Sequence, residues 1–283
     1  MKNYLLIPFF SFVLLTIISC SETVIIKEAA DSSVSAPAVS GYFRKHVLIE
    51  DYTGTWCGNC TRVALAIDLL ANQTDKAVVV AIHDGKNDPF RFDGIAPLKS
   101  LIYPNNPTAA LELPISRLNR IINWTFPEKT NINQVLDLTG NNAGLGLAMN
   151  SKIENGTLNL VVKINFAQAD YSNLRLVVFL LEDKLIYEQL NYTDAFYNGI
   201  KLIPDFEHNH VLRNSLTNIL GDAISDNIAV NQVITKNFNL LVPSNIATQK
   251  NISFVSFVIG DDNKVINVRG SKINENQIFE QNQ

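Results

Sequence analysis

Cys57 and Cys60 are the residues of this 283-residue chain whose type and spacing point most directly to chemistry. They frame Cys57-Gly58-Asn59-Cys60, and residues i and i+3 share one face of a helix's first turn, so sulfurs at that spacing can close and reopen a disulfide. The unpaired N–H groups and positive end of such a helix favour a thiolate on the outer sulfur, lowering a thiol pKa from about 8.5 to roughly 3.5–7.5. Cys57 is then expected to attack and Cys60, deeper in the helix, to resolve. The same pair also suits half a zinc site or an inert structural bridge, although no second cysteine pair exists to complete a zinc site made of cysteine alone. The remaining candidates are histidines. His83 ends a β-branched run, where it acts either as a proton carrier near the thiols or as a hydrogen-bonded loop residue. His208 and His210, on a strand, would share a face; two ligands make no metal site, so a hydrogen-bonded surface or interface cluster is expected, with no metal and no cofactor.

These residues need particular elements to hold them. Val47-Leu48-Ile49, ending in Glu50-Asp51, suits a strand buried on both faces whose carboxyl end opens toward solvent. Thr53 and Gly54 break that strand, and Val63, Ala64, Ile67 and Leu70 recur at helical spacing, placing the cysteines on the first turn of a helix entered from a sheet. Ala77-Val78-Val79-Val80-Ala81-Ile82 reads as a second buried strand, parallel to the first by the handedness of strand–helix–strand units. One helix is expected within residues 87–103, a strand after Pro114, and a closing helix through Ile132, Val135, Leu136 and Leu138 that stops at Gly140. Past Asn141 the pattern changes to repeated short strands at 143–149, 157–167, 174–182, 230–241, 252–260 and 265–269, separated by turn residues, as in a β-sandwich.

Trp56-Cys57-Gly58-Asn59-Cys60 after an apolar strand resembles the motif of the thioredoxin superfamily, with Asn59 in place of the usual proline. The resemblance implies a disulfide exchange centre. Asp51 stands at the offset of the buried aspartate that takes up the resolving thiol's proton, and Pro114, with Pro107 as competitor, corresponds to the cis-proline facing the disulfide. Trp56 and Pro114 would shape the substrate-facing surface.

The N-terminus carries a different message. Met1-Lys2-Asn3 and the apolar run to Ile18 have the charge and length of an export signal and are short for a membrane span. Ile17-Ile18-Ser19-Cys20 resembles the lipobox of bacterial lipoproteins, which implies cleavage after residue 19 and acylation of Cys20. Lipid chains contribute about 0.8 kcal/mol per buried CH₂, so more than one gives lasting anchorage. Residues 20–41, rich in serine and alanine, read as a flexible tether. Lipidation also accounts for the odd cysteine, leaving Cys57 and Cys60 as the only thiols in an oxidising compartment. A net charge of −4 and a pI near 5.6 argue against nucleic acid as partner.

Taken together, residues 40–270 resemble the family related to the twenty-eight-kilodalton outer-membrane protein of Gram-negative bacteria. The marks are Leu48-Ile49-Glu50-Asp51-Tyr52-Thr53-Gly54 leading into the cysteines, Pro114 with Asn119-Arg120, and His208-Asn209-His210-Val211-Leu212-Arg213. The fold expected is α/β plus all-β: a signal (1–19), the tether (20–41), a thioredoxin-like domain (42–141) and an immunoglobulin-like β-sandwich (142–283). The function expected is that of an exported lipoprotein of the cell envelope, on the outer membrane because Ser21 replaces a retaining aspartate, exchanging disulfides with protein thiols. The competing reading is an envelope binding or adhesion module with a structural disulfide.

Overall fold

The computed structural model describes residues 42–140, 142–224 and 228–282; the expected signal, Cys20 and the tether lie outside them. The first half runs β1 (Phe43–Arg44), β2 (Val47–Thr53), α1 (Thr61–Ala71), β3 (Ala77–His83), α2 (Ala96–Ile102), β4 (Ile115–Leu118), β5 (Ile122–Asn123) and α3 (Asn133–Leu138). Strand β2 is buried along its whole length, as its apolar run requires. It pairs parallel with β3, Asp51 opposite Ala81 and Thr53 opposite His83, and antiparallel with β4, Tyr52 opposite Ile115. Because side chains alternate along a strand, Val47 and Ile49 face α1 and α3, packing on Val63, Ala66, Leu70 and Val135, while Leu48 and Tyr52 face α2 and Leu98.

The second half is made of strands: β6 (Asn142–Ala143), β7 (Leu145–Glu154), β8 (Thr157–Phe166), β9 (Arg175–Glu182), β10 (Leu185–Leu190), β11 (Leu202–His208), β12 (Val211–Ser215), β13 (Asp222–Ala223), β14 (Val233–Leu241), β15 (Ile252–Ile259) and β16 (Val265–Lys272). The expected strands are found, most with ends moved by a few residues. Strands β10, β11 and β12 are additions, and they matter for the site.

Both halves share one sheet. Among the described residues nine strands join it, in the order β16-β15-β9-β12-β3-β2-β4-β5 with β13 on β9, and β12 bridges the halves through Val211 opposite Ala81. The sheet curls until β16 returns to the β4–β5 turn, where Val265 N–H donates to the Asn119 carbonyl at 3.3 Å. Inside the curl Leu48, Val80 and Ile82 pack with Val177, Phe179 and Phe257 in a single core. The opposite face of β9 and β15, with Leu176, Val178, Leu180 and Phe254, is covered by a separate antiparallel sheet of β14, β8 and β7. The architecture is therefore mixed α/β, a large mixed sheet plus a three-stranded antiparallel one. The change of pattern near residue 141 marks a switch from strand–helix alternation to strands alone; it divides neither the large sheet nor its core.

Candidate functional site

Cys57 and Cys60 form a disulfide with Cα atoms 5.4 Å apart. They lie just ahead of the expected place: α1 begins at Thr61 and Cys60 is its N-cap residue. The motif is wound as tight turns, Cys57 N–H donating to Gly54 O (3.0 Å) and Cys60 N–H to Cys57 O (3.1 Å), before Ala64 N–H bonds to Cys60 O (3.3 Å) and opens the helical ladder. Trp56 is half-exposed and donates its indole N–H to the Asp84 carbonyl at 2.8 Å. Its ring lies over Gly85, whose φ of +122° and proximity to the indole leave no room for a side chain. Asn59 is exposed between the cysteines. Both cysteines of the disulfide are buried, Cys57 5 % and Cys60 2 % exposed.

Behind the disulfide is a cavity of about 350 Å³ lined by Cys60, Asp51, Thr61, His83, Gln189 and His208 among others. Asp51 reaches it because the strand alternation that sends Tyr52 to the α2 side sends Asp51 to the α1 side. Its Oδ1 has no hydrogen-bond partner, and burial, reinforced by Glu128 and opposed by Arg62, pushes its carboxyl up to about 8. His83 sits at the end of β3 with Nδ1 3.1 Å from Asp88 Oδ1. Burial would raise Asp88, yet the His83 contact and the N–H groups of Thr55 (2.7 Å) and Phe90 (2.9 Å) hold it below the ordinary carboxylate value. Pro114 directly precedes β4 and the Leu113–Pro114 bond is cis, as is Phe126–Pro127; Pro107, the competitor, is not cis.

The two later histidines do not share a strand face. His208 ends β11, packed edge-on against Phe206, Phe90 and His83, and burial with the neighbouring His83 lowers it to about 4, Asp88 opposing. His210 stands in the turn that follows, at φ 59°, its N–H donating to Asp183 Oδ1 at 2.7 Å. The left-handed turn breaks the alternation on which the sequence expectation rested.

Sequence reasoning missed a further set of residues. Strands β10 and β11 form a two-stranded sheet of their own, and the segment leaving β10 lies along the cysteine motif. Leu190 N–H donates to Thr55 O (2.9 Å), Tyr192 N–H to Gly58 O (2.8 Å), and the Gln189 amide to Cys57 O (3.1 Å) and Gly54 O (3.3 Å). The Thr61 hydroxyl meets Asn191 Oδ1 at 2.8 Å and Thr193 Oγ1 at 2.9 Å. Gly58 lies flat beneath the Tyr192 ring, where a Cβ would come within 2.4 Å of ring carbons. The only sequence signal was Gln189 and Asn191 among polar neighbours, which has no motif.

A curled mixed sheet with a covered disulfide at the mouth of its first helix is the class of protein this fold and site define. A family model described as outer membrane protein Omp28 matches residues 108–277, and the chain belongs to that family. Among solved structures it is similar to HBP35 of Porphyromonas gingivalis, with a TM-score of 0.63 and 18 % identity over 84 % of this chain and 78 % of that one. A domain of the outer membrane lipoprotein Omp28 from Porphyromonas gingivalis is also similar, at 18 % identity and a TM-score of 0.31, over 48 % of this chain and 100 % of that one. No curated protein matches.

Proposed function

We propose that the chain is an envelope lipoprotein, held at the outer membrane through lipid on Cys20, that exchanges disulfides with protein thiols through Cys57 and Cys60. One observation carries the reading: a disulfide at a helix mouth with the unpartnered Asp51 carboxyl and Cys60 on the same cavity. The strand order β3-β2-β4-β5, helices on both faces and the cis bond before β4 support a thioredoxin-like first half. The face-to-face packing of β7, β8 and β14 on β9 and β15 supports an immunoglobulin-like sandwich in the second. Membership of an outer-membrane family supports the location.

The chemistry follows from the geometry. A partner thiolate attacks the Cys57 sulfur, the Cys57–Cys60 bond breaks, and its electron pair leaves on the Cys60 sulfur. Asp51, protonated below about 8, faces the cavity to supply that sulfur's proton. A second partner thiol then displaces Cys57, leaving the partner oxidised and both cysteines reduced; the reverse sequence reduces a substrate disulfide.

The burial of Cys57 favours a second reading, a binding or adhesion module with the disulfide as a staple. The potential of the pair separates the two. Thiol trapping across a redox series is expected to give a value between about −270 and −120 mV, the span of known oxidoreductases; a value below about −300 mV marks a structural bridge and ends the exchange reading.

A further inference from the structure

Resting on that exchange reading, we propose that residues 189–193 form a strap that determines which thiols reach the Cys57–Cys60 bond. Disulfide exchange needs the incoming sulfur close to and roughly in line with the bond it breaks, so access decides the rate as much as potential does. The strap continues from β10 beside the motif: the N–H groups of Leu190 and Tyr192, two residues apart, donate to the carbonyls of Thr55 and Gly58. That is how an extended polypeptide would dock there, and the place is already taken by the chain itself.

The strap is built to lift. Its hairpin, β10 with β11, hydrogen-bonds to no other strand among the described residues, and Tyr192, Ile200 and Leu202 are exposed. Beneath it lies the 350 Å³ cavity, with Cys60 and Asp51 on one wall and Gln189, Phe196 and Phe206 on the other. Over that gap strap and motif are joined chiefly by hydrogen bonds of the buried Gln189 and Asn191 and by Tyr192 on Gly58, not by an apolar core, so few apolar contacts oppose its displacement. A small thiol needs only slight displacement to reach Cys57; a folded protein, which must bring its own backbone alongside, needs the strap removed. Gln189 and Asn191 act through the motif they hold and are positioning residues.

The test compares rates of disulfide reduction in the full chain by dithiothreitol and by a reduced thioredoxin, a protein dithiol. Gln189→Ala with Asn191→Ala is expected to speed the protein reaction about tenfold while dithiothreitol gains less than about threefold. Equal acceleration of both, or of neither, overturns the strap's role. Where the double variant fails to fold, amide exchange in the unaltered protein decides. The N–H groups of Leu190 and Tyr192 are expected to exchange at least about a hundredfold faster than those of β9; equal protection refutes lifting. Rates are taken as initial rates with thioredoxin in excess and continuously re-reduced, so that a potential below that of thioredoxin does not hide them; a structural potential then removes the exchange reading and an unchanged ratio removes only the strap.

Discussion

Asp51 is the residue on which burial and chemistry pull hardest against each other. Its carboxyl titrates near 4 in the unfolded chain and about 8 in the fold, so between those values the folded state holds a proton that the unfolded state has lost. The stability this confers is complete below about 4, falls as pH rises, and is gone above about 8. Asp51→Asn is therefore expected to match the parent protein at acid pH and exceed it at pH 9 by on the order of a few kcal/mol in urea unfolding. Parallel stability curves for the two proteins across that range would show that the carboxyl is not buried as described. At this scale much was legible. The cysteine pair, Asp51 six residues earlier and the cis bond at Pro114 follow from short-range spacing or from a family pattern. Gln189 and Asn191 were not, because an amide that donates to the Cys57 carbonyl 132 positions away and an Asn191 oxygen that accepts from the Thr61 hydroxyl 130 positions away obey no local rule.

At the scale of elements the decisive joint is the turn between β4 and β5. Asn119 and Arg120 both take left-handed φ, 46° and 72°, which aims the Arg120 guanidinium back into the core. There it donates to Glu50 Oε1 at 3.0 and 3.1 Å and to Ile219 O at 3.2 Å, stacked 4.8 Å over Phe257, with both ionic partners essentially inaccessible. Removing one partner strands the other charge, so Arg120→Ala is expected to cost about 3–5 kcal/mol, measured by urea unfolding. A cost below about 1 kcal/mol would mean that water reaches Glu50. Strand β8 was readable from its apolar alternation and β15 from its nearly continuous β-branched and aromatic run. The β10–β11 hairpin was not: Leu185–Leu190 and Leu202–His208 bury few side chains, and a proline and two charged residues interrupt the second.

For the whole molecule the consequence is shared cohesion. Leu48, Val80 and Ile82 from one half and Val177, Phe179 and Phe257 from the other enclose one apolar interior, so neither half keeps that shared cluster alone, whatever smaller cluster it has of its own. Calorimetry of the full chain is expected to show a single transition, and a fragment ending at residue 141 to lack the dispersed amide spectrum of a folded protein. Two separate transitions, or a folded fragment, would contradict a common core. Composition revealed where strand–helix alternation ends, but it could not reveal that β12 crosses to β3, since one bridging pair, Val211 with Ala81, leaves no trace in either sequence segment.

Within the cysteine motif, Gln189, Leu190 and Tyr192 bind peptide oxygens of residues 54–58, while the Asn59 side chain is exposed to solvent. On the exchange reading proposed above, exchanging residue 59 would retune how readily the bond is reduced without redrawing the set of molecules admitted to it. Driving force and clientele would then be independently heritable traits.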